Sequence, residues 1–531
     1  MKIRQQLIGV HKLLVSFGTI SLSKIGKTLG ISKDSARRRC VVIKSRSHHP
    51  CATVFETEAG AQWVYLVVIT AILVFGKKSG VGSETHALFF SLIGLNLFVG
   101  LSASSIDKIK GEIDHLLAKF GDLHDARVME KAKELNLCIG ADETFFKTLN
   151  ILLLMDLPSG FILQELFAQN RTHKTWELAT LSIIQQFKSV ACLVSDKAKA
   201  LVKLAKVSYH CINVSDLYHM LTYVTKFMKF KFNTEIKKVQ TQIKKVQKSL
   251  ESKAISTAGR VEKSNAITQL ENKILDIQKS QASYRTQLHN ISVAVHPFNF
   301  KTSQSQTSLE VEQSLKMSAA ELRRIQSECG FCDKYKYLNT FENQIEKAAS
   351  QIDRWWQWVQ TSSQQFGLTG SEKHWLHHVL LPVIYWQQQL AKARRPSIKK
   401  SYQHALTQAQ QKLTSDPMTQ NISDARCIEL ETWAKWISGK FQRTTSPIEG
   451  RNALLSLAYS ATKGLSKEQL RSRTVIDNYF TTRSDGTTAM ERFANLKPDC
   501  LITYLVNNLG ELPLPRATKC RDPVIKRSVA A

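Results

Sequence analysis

Acidic residues are scarce in this chain. Asp and Glu number 44 against 73 Lys and Arg, leaving a formal net charge of +29. A surplus of that size calls for a polyanionic partner, and nucleic acid is the commonest; a ribosome-associated or membrane-surface protein is the alternative. Long apolar runs are also missing. The two strongest stretches, 59–76 and 87–101, do not reach the ~18–20 strongly apolar residues of a spanning helix without borrowing Gly, Ser, Gln or His. They read as buried helices of a compact α-domain rather than as a membrane hairpin. No secretory leader is legible: residues 1–22 are interrupted by His11 and Lys12 and lack a small-residue cleavage site. The ten cysteines are scattered and read as reduced, intracellular thiols. A lone Cys329-x-x-Cys332, even with His374 and His378, matches no zinc spacing.

What is present begins with a helix-turn-helix spacing at residues 20–40. A short amphipathic segment ends at Gly30, a tight turn follows, and a second helix carries Lys33, Arg37, Arg38 and Arg39. That helix is expected to enter the DNA major groove, its arginines on phosphates or guanine edges. A helical hairpin with a basic face is the plainer reading. Residues 1–130 are taken together as a helical DNA-binding region.

From residue 137 the pattern changes to short strands, at 137–146, 151–157 and 161–168, with a turn at Asp156-Leu-Pro-Ser-Gly160. A helix (172–187), a strand (190–194), a helix (197–206) and a fifth strand (209–214) follow. Three antiparallel strands, then helix, strand, helix, strand, helix, is the order of an RNase H-like sheet. Residues 135–230 and 441–500 are therefore expected to form one α/β RNase H-like catalytic domain. The all-α block 231–440 interrupts it, with heptad-like spacing at Ile236, Val239, Ile243 and Val246 and seven of the nine tryptophans. A basic tail, 501–531, closes the chain.

Three acids stand where such a sheet would gather them: Asp142 on the first strand, Asp196 ending the fourth, and Glu449 opening a helix. Phosphodiester cleavage needs a polarised phosphate, an activated water and a stabilised leaving oxygen; two Mg²⁺ (or Mn²⁺) ions held by carboxylates meet all three needs. The segments Gly-Ala-Asp142-Glu-Thr-Phe-Phe, Val-Ser-Asp196-Lys-Ala and Ser-Pro-Ile-Glu449-Gly-Arg-Asn resemble the acidic motifs of DDE transposases from bacterial insertion sequences. The stretch from Arg483 to Phe493 resembles a block downstream of the glutamate in one group of them. The likeness covers roughly residues 135–230 and 440–495. It implies hydrolysis at transposon ends, then attack of a 3′-hydroxyl on target DNA, by a homodimer or higher oligomer on double-stranded DNA in the cytoplasm, at the nucleoid. The chain departs from the Tyr-x-x-Arg-x-x-x-Glu spacing of the best-known insertion-containing group, so subgroup and end chemistry stay open.

Each acid also has a plainer reading. Asp196 can cap a helix starting at residue 197, and Glu449 can close a capping box on Ser446. Asp142 competes with its neighbour Glu143, since strand alternation puts one of them on the catalytic side. His219 is read either as a contact to the scissile phosphate or as a packed histidine. Arg443, Arg451 and Asn452, flanking Glu449, are expected on DNA phosphates. Trp355 and Trp358 are read as stacking on a base or as core. The competing function is a non-catalytic helix-turn-helix regulator or an inactive domesticated transposase.

Overall fold

The computed structural model describes residues 3–46, 52–55, 57–146, 149–196, 198–251, 256–462, 464–483 and 485–515. The basic residues expected in the tail, Arg516 to Arg527, lie outside them. The chain is mostly helical around one five-stranded mixed sheet.

Three N-terminal helices, α1 (Ile3–Phe17), α2 (Leu22–Leu29) and α3 (Lys33–Arg46), enclose a small core of their own: Leu7, Val10, Ile25, Ala36, Cys40 and Ile43. Ser21 caps α2, and Gly30 ends it at φ 63°, a left-handed conformation that glycine adopts without steric cost. Ala36, Cys40 and Ile43 lie at helical spacing, which turns Arg37 and Arg38 to solvent.

The helices that follow behave differently from the expected single N-terminal region. The apolar residues of Glu58–Ala71, of its π-helical continuation Ile72–Lys78 and of Ala103–Ala132 are buried in the same core as the sheet. The boundary drawn at residue 130 therefore falls instead between α3 and Glu58. Helix Glu58–Lys78 is long and apolar enough to cross a membrane, with half of its apolar window buried; the second stretch splits into Ser83–Leu92 and a 3₁₀ turn at Leu95–Leu97.

The strands are β1 (Asn136–Phe146), β2 (Leu149–Asp156), β3 (Phe161–Ala168), β4 (Ser189–Ser195) and β5 (Ile212–Ser215). Their order across the sheet is β3-β2-β1-β4-β5, antiparallel among the first three and parallel for β1–β4 and β4–β5. The turn joining β2 to β3 uses Gly160 at φ 76°, and Asp156 accepts a hydrogen bond from the Ser159 backbone N–H (3.1 Å). Both faces are covered. Leu137, Ile139, Ala141, Leu152, Leu154 and Leu193 look towards the N-terminal helices; Cys138, Leu153, Met155, Cys192 and Val194 look towards Ile448 and Trp358. Covered on both sides, β2 is a continuous apolar run rather than an alternating one.

After β5 a single helix, Leu217–Leu250, leaves the sheet and returns as Thr257–Ala294. The insertion thus starts at residue 217, because Asp216 caps a helix that runs unbroken through the expected boundary at 231. Its helices, through Asp424–Lys440, have a separate core holding Trp355, Trp375, Trp386 and Trp433. The ends of the insertion are tied together. Leu217 N–H donates to the Arg443 carbonyl (3.0 Å), and the buried Asp216 carboxylate accepts from the Thr445 backbone N–H (2.9 Å) and hydroxyl. The chain then enters helix Ser446–Thr462, which lies on β1.

Candidate active site

Alternation along β1 separates the two adjacent acids. Asp142 shares the parity of Cys138 and Gly140 and so the face covered by Ile448; Glu143 shares that of Ala141 and faces Trp176. Gly140 leaves room for the side chains that cover it. A Cβ there would lie 2.7 Å from the ends of both the Ile448 and Leu157 side chains, which would have to shift. With no side chain at 140, the first turn of Ser446–Thr462 settles against β1, and Glu449 and Asn452 come level with Asp142.

Asn452 Nδ2 donates to Asp142 Oδ2 at 2.9 Å. Glu449 Oε1 lies 3.3 Å from His219 Nε2, on the helix that follows β5. Asp196, one residue past β4, accepts a hydrogen bond from the Ala198 N–H (2.8 Å) ahead of helix Lys199–Lys203; the helix start expected at 197 lies outside the described residues. Burial, then the charge of Glu449, then those of Glu143 and Asp196, push the Asp142 carboxyl up to about 7, against the backbone N–H it faces at Glu143. Glu143 is raised by burial and by Asp196, with Arg171 and the Trp176 indole opposing. His219 is raised, first by the Glu449 carboxylate and against burial. The arrangement gathers negative charge around Asp142 and meets it with a neutral amide.

Hard carboxylate oxygens repelling one another in a half-buried site fit a divalent cation. Among the described residues, however, no group of three or more His, Cys, Asp or Glu side chains is set closely enough to hold a metal ion. The acids are coupled through charge without converging on one point.

The arginines expected on DNA divide. Arg451 is 5% exposed and its guanidinium is committed to Glu165 on β3 (2.8 and 2.6 Å) and to Asp477. Arg443 donates to the Ser292 carbonyl (2.8 Å) and the Tyr402 hydroxyl (2.7 Å), bracing the insertion. Both are internal struts, and Asn452 is a partner of Asp142, so none of the three is a free phosphate contact. Arg39 Nε donates to Gln6 on α1 (3.3 Å), leaving Arg37 and Arg38 as the exposed pair of that helix. Trp355 is core, with its indole N–H on the Ile437 carbonyl (3.1 Å); Trp358 is half-buried between the insertion and the sheet. Sequence reading weighed Asp216, with His219, as an accessory of the triad or as a helix N-cap but missed its role as the clasp of the insertion, and it passed over Glu165 and Asp477 as the partners of Arg451. An acid preceding an apolar helix start was the available signal for the first; the second pair carries none.

A family described only as a family of unknown function (DUF6399) matches residues 376–521, a span that takes in roughly the last third of the insertion and the Glu449 helix. No curated protein matches the chain.

Proposed function

We propose that the protein is a DNA-cutting and DNA-joining enzyme of the DDE transposase class, with Asp142, Asp196 and Glu449 as its acidic triad on an RNase H-like domain. The observation that carries this reading is the Asp142 carboxyl, pushed up to about 7 beside Glu449 and Asp196 and answered, among the described residues, by the Asn452 amide rather than by an arginine or lysine. The strand order β3-β2-β1-β4-β5, with its antiparallel-then-parallel pairing, is the one an RNase H-like sheet requires, and the helical insertion falls between the second and third acids.

Bound Mg²⁺ would supply Lewis acidity to the scissile phosphate and lower the pKa of the attacking water. The residues of the chain hold the rest. Asp142, Asp196 and Glu449 would supply oxygen ligands, Asn452 orients Asp142, and His219 balances Glu449 when protonated. The exposed Arg37 and Arg38 on α3 carry the DNA-reading role, and double-stranded DNA is the partner that suits a charge of +29. Joining two ends implies a dimer or larger assembly on DNA.

The test is to look for inverted repeats on either side of the gene and to assay strand cleavage of DNA that carries them. Asp142→Asn, Asp196→Asn and Glu449→Gln each remove a ligand oxygen at constant volume and are expected to lower cleavage in Mg²⁺ by at least ~10³-fold with end binding retained. A folded triple variant that still cuts overturns the triad.

A further inference from the structure

A cleft of about 810 Å³ opens between the insertion and the sheet edge, at the N-terminal ends of β1, β4 and β5. Its rim at Asn136 is six residues from Asp142 along β1, about 20 Å at ~3.3 Å per residue, while its lining on β5 reaches Val214, paired with Val194 two residues before Asp196. None of its described lining residues is Asp or Glu, while Lys206, Arg354 and Lys440 all line it. The helix Gln351–Ser363 presents Gln351, Arg354 and Trp358 to the cleft at helical spacing. Trp358 is half-buried there, held edge-to-face by Trp436 at 5.5 Å.

Gln351 gives the cleft its specificity. The side chain is 5% exposed, and both its amide oxygen and its amide nitrogen are buried without a hydrogen-bond partner. An orphaned donor and acceptor on one planar group is costly to maintain, and a folded protein seldom keeps one without a use for it. An amide is also the side chain that pairs two-handedly with a base edge. A ligand that meets all these features carries negative charge, a flat ring with an indole to lie on, and adjacent donor and acceptor atoms.

We infer that this cleft binds a nucleotide, the base against Trp358 and paired to Gln351, the phosphate towards Lys206 and Arg354. The volume suits a small ligand of that size. The same chemistry comes from a free nucleotide or from one nucleotide of an unpaired strand crossing the cleft. The inference stands apart from the acidic triad, since it uses none of those residues.

The experiment titrates the full-length protein with adenosine monophosphate and, separately, with a short single-stranded oligonucleotide, following tryptophan fluorescence and confirming by calorimetry. Gln351→Leu and Arg354→Ala are each expected to weaken binding about tenfold. Gln351→Leu keeps or raises Tm because it removes the orphaned amide, so loss of binding is not loss of fold. Binding of the oligonucleotide alone identifies a strand, and binding of both identifies the nucleotide unit; either outcome supports the inference. Asp142→Asn is expected to bind as the native protein does. Silence from both ligands at millimolar concentration overturns the inference. So does equal binding by native protein and both cleft variants, as does loss of binding in Asp142→Asn with retention in Gln351→Leu, which would put the nucleotide at the triad.

Discussion

Glu449 and Arg451 are two residues apart on one helix and serve opposite kinds of charge cluster. Arg451 points into the seam between that helix, β3 and helix Lys467–Tyr479, where its guanidinium is shared by Glu165 and Asp477 and its own charged form is held firmly by both. Every charge there has an opposite charge in contact. Glu449 points to the other side, towards Asp142 and Asp196, where acids meet acids and the neighbours are His219 and an amide. The carboxylates at one flank of the helix are matched by a guanidinium; the half-buried ones at the other flank are met, among the described residues, by an amide, a backbone N–H and a histidine. Paired charge holds the structure; unpaired charge is what a bound cation would answer.

The comparison breaks most visibly at the paired side. Arg451→Met strands Glu165, whose side chain is fully buried, and is expected to cost about 3–5 kcal/mol of stability. Adding Glu165→Met and Asp477→Leu is expected to recover most of that loss, because an apolar trio of similar volume needs no counter-charge. Denaturant titration of the single and triple variants checks this; a single variant as stable as the native chain would show that the network does not brace the helix.

The unpaired side is expected to respond with the opposite sign. The folded-state pKa of Asp142 is raised to about 7 from 3.8, so the folded protein binds this proton more tightly than the unfolded chain. Native stability therefore falls as pH rises from about 4 to about 7. Asp142→Asn is expected to be neutral below pH ~4 and to stabilise by about 2–4 kcal/mol above pH ~7, the full shift being discounted for the partial exposure of the group. Melting curves at the two ends of that window measure it. A variant less stable than the native chain at pH 8 would place Asp142 among the structural charges.

What could be read in advance follows the range of the signal. Strands β1 to β4 were legible because apolar runs and the Pro158–Gly160 turn are local, and alternation alone set Asp142 and Glu143 on opposite faces. The closure of the insertion was legible too, since Asp196 and Glu449 can share a site only if its ends meet. Arg451 and Arg443 were misread. Basic residues beside an acidic motif suggest phosphate, and nothing near them announces partners on β3, near residue 477 or at the end of a distant helix. The helices of 58–132 were misplaced for a similar reason: an apolar periodicity says that a face is buried but not against what.

Divalent-cation binding tests the central claim most directly. Calorimetric titration of the apo protein with Mn²⁺ at pH 8, set beside Asp142→Asn and Glu449→Gln, compares the native cluster with one in which the repelling charges have been removed. Saturable binding by the native chain that is lost in both variants, and that releases more protons when the titration is repeated at pH 6.5 than at pH 8, is the predicted result. Equal binding by all three proteins, or none by the native chain, would contradict it.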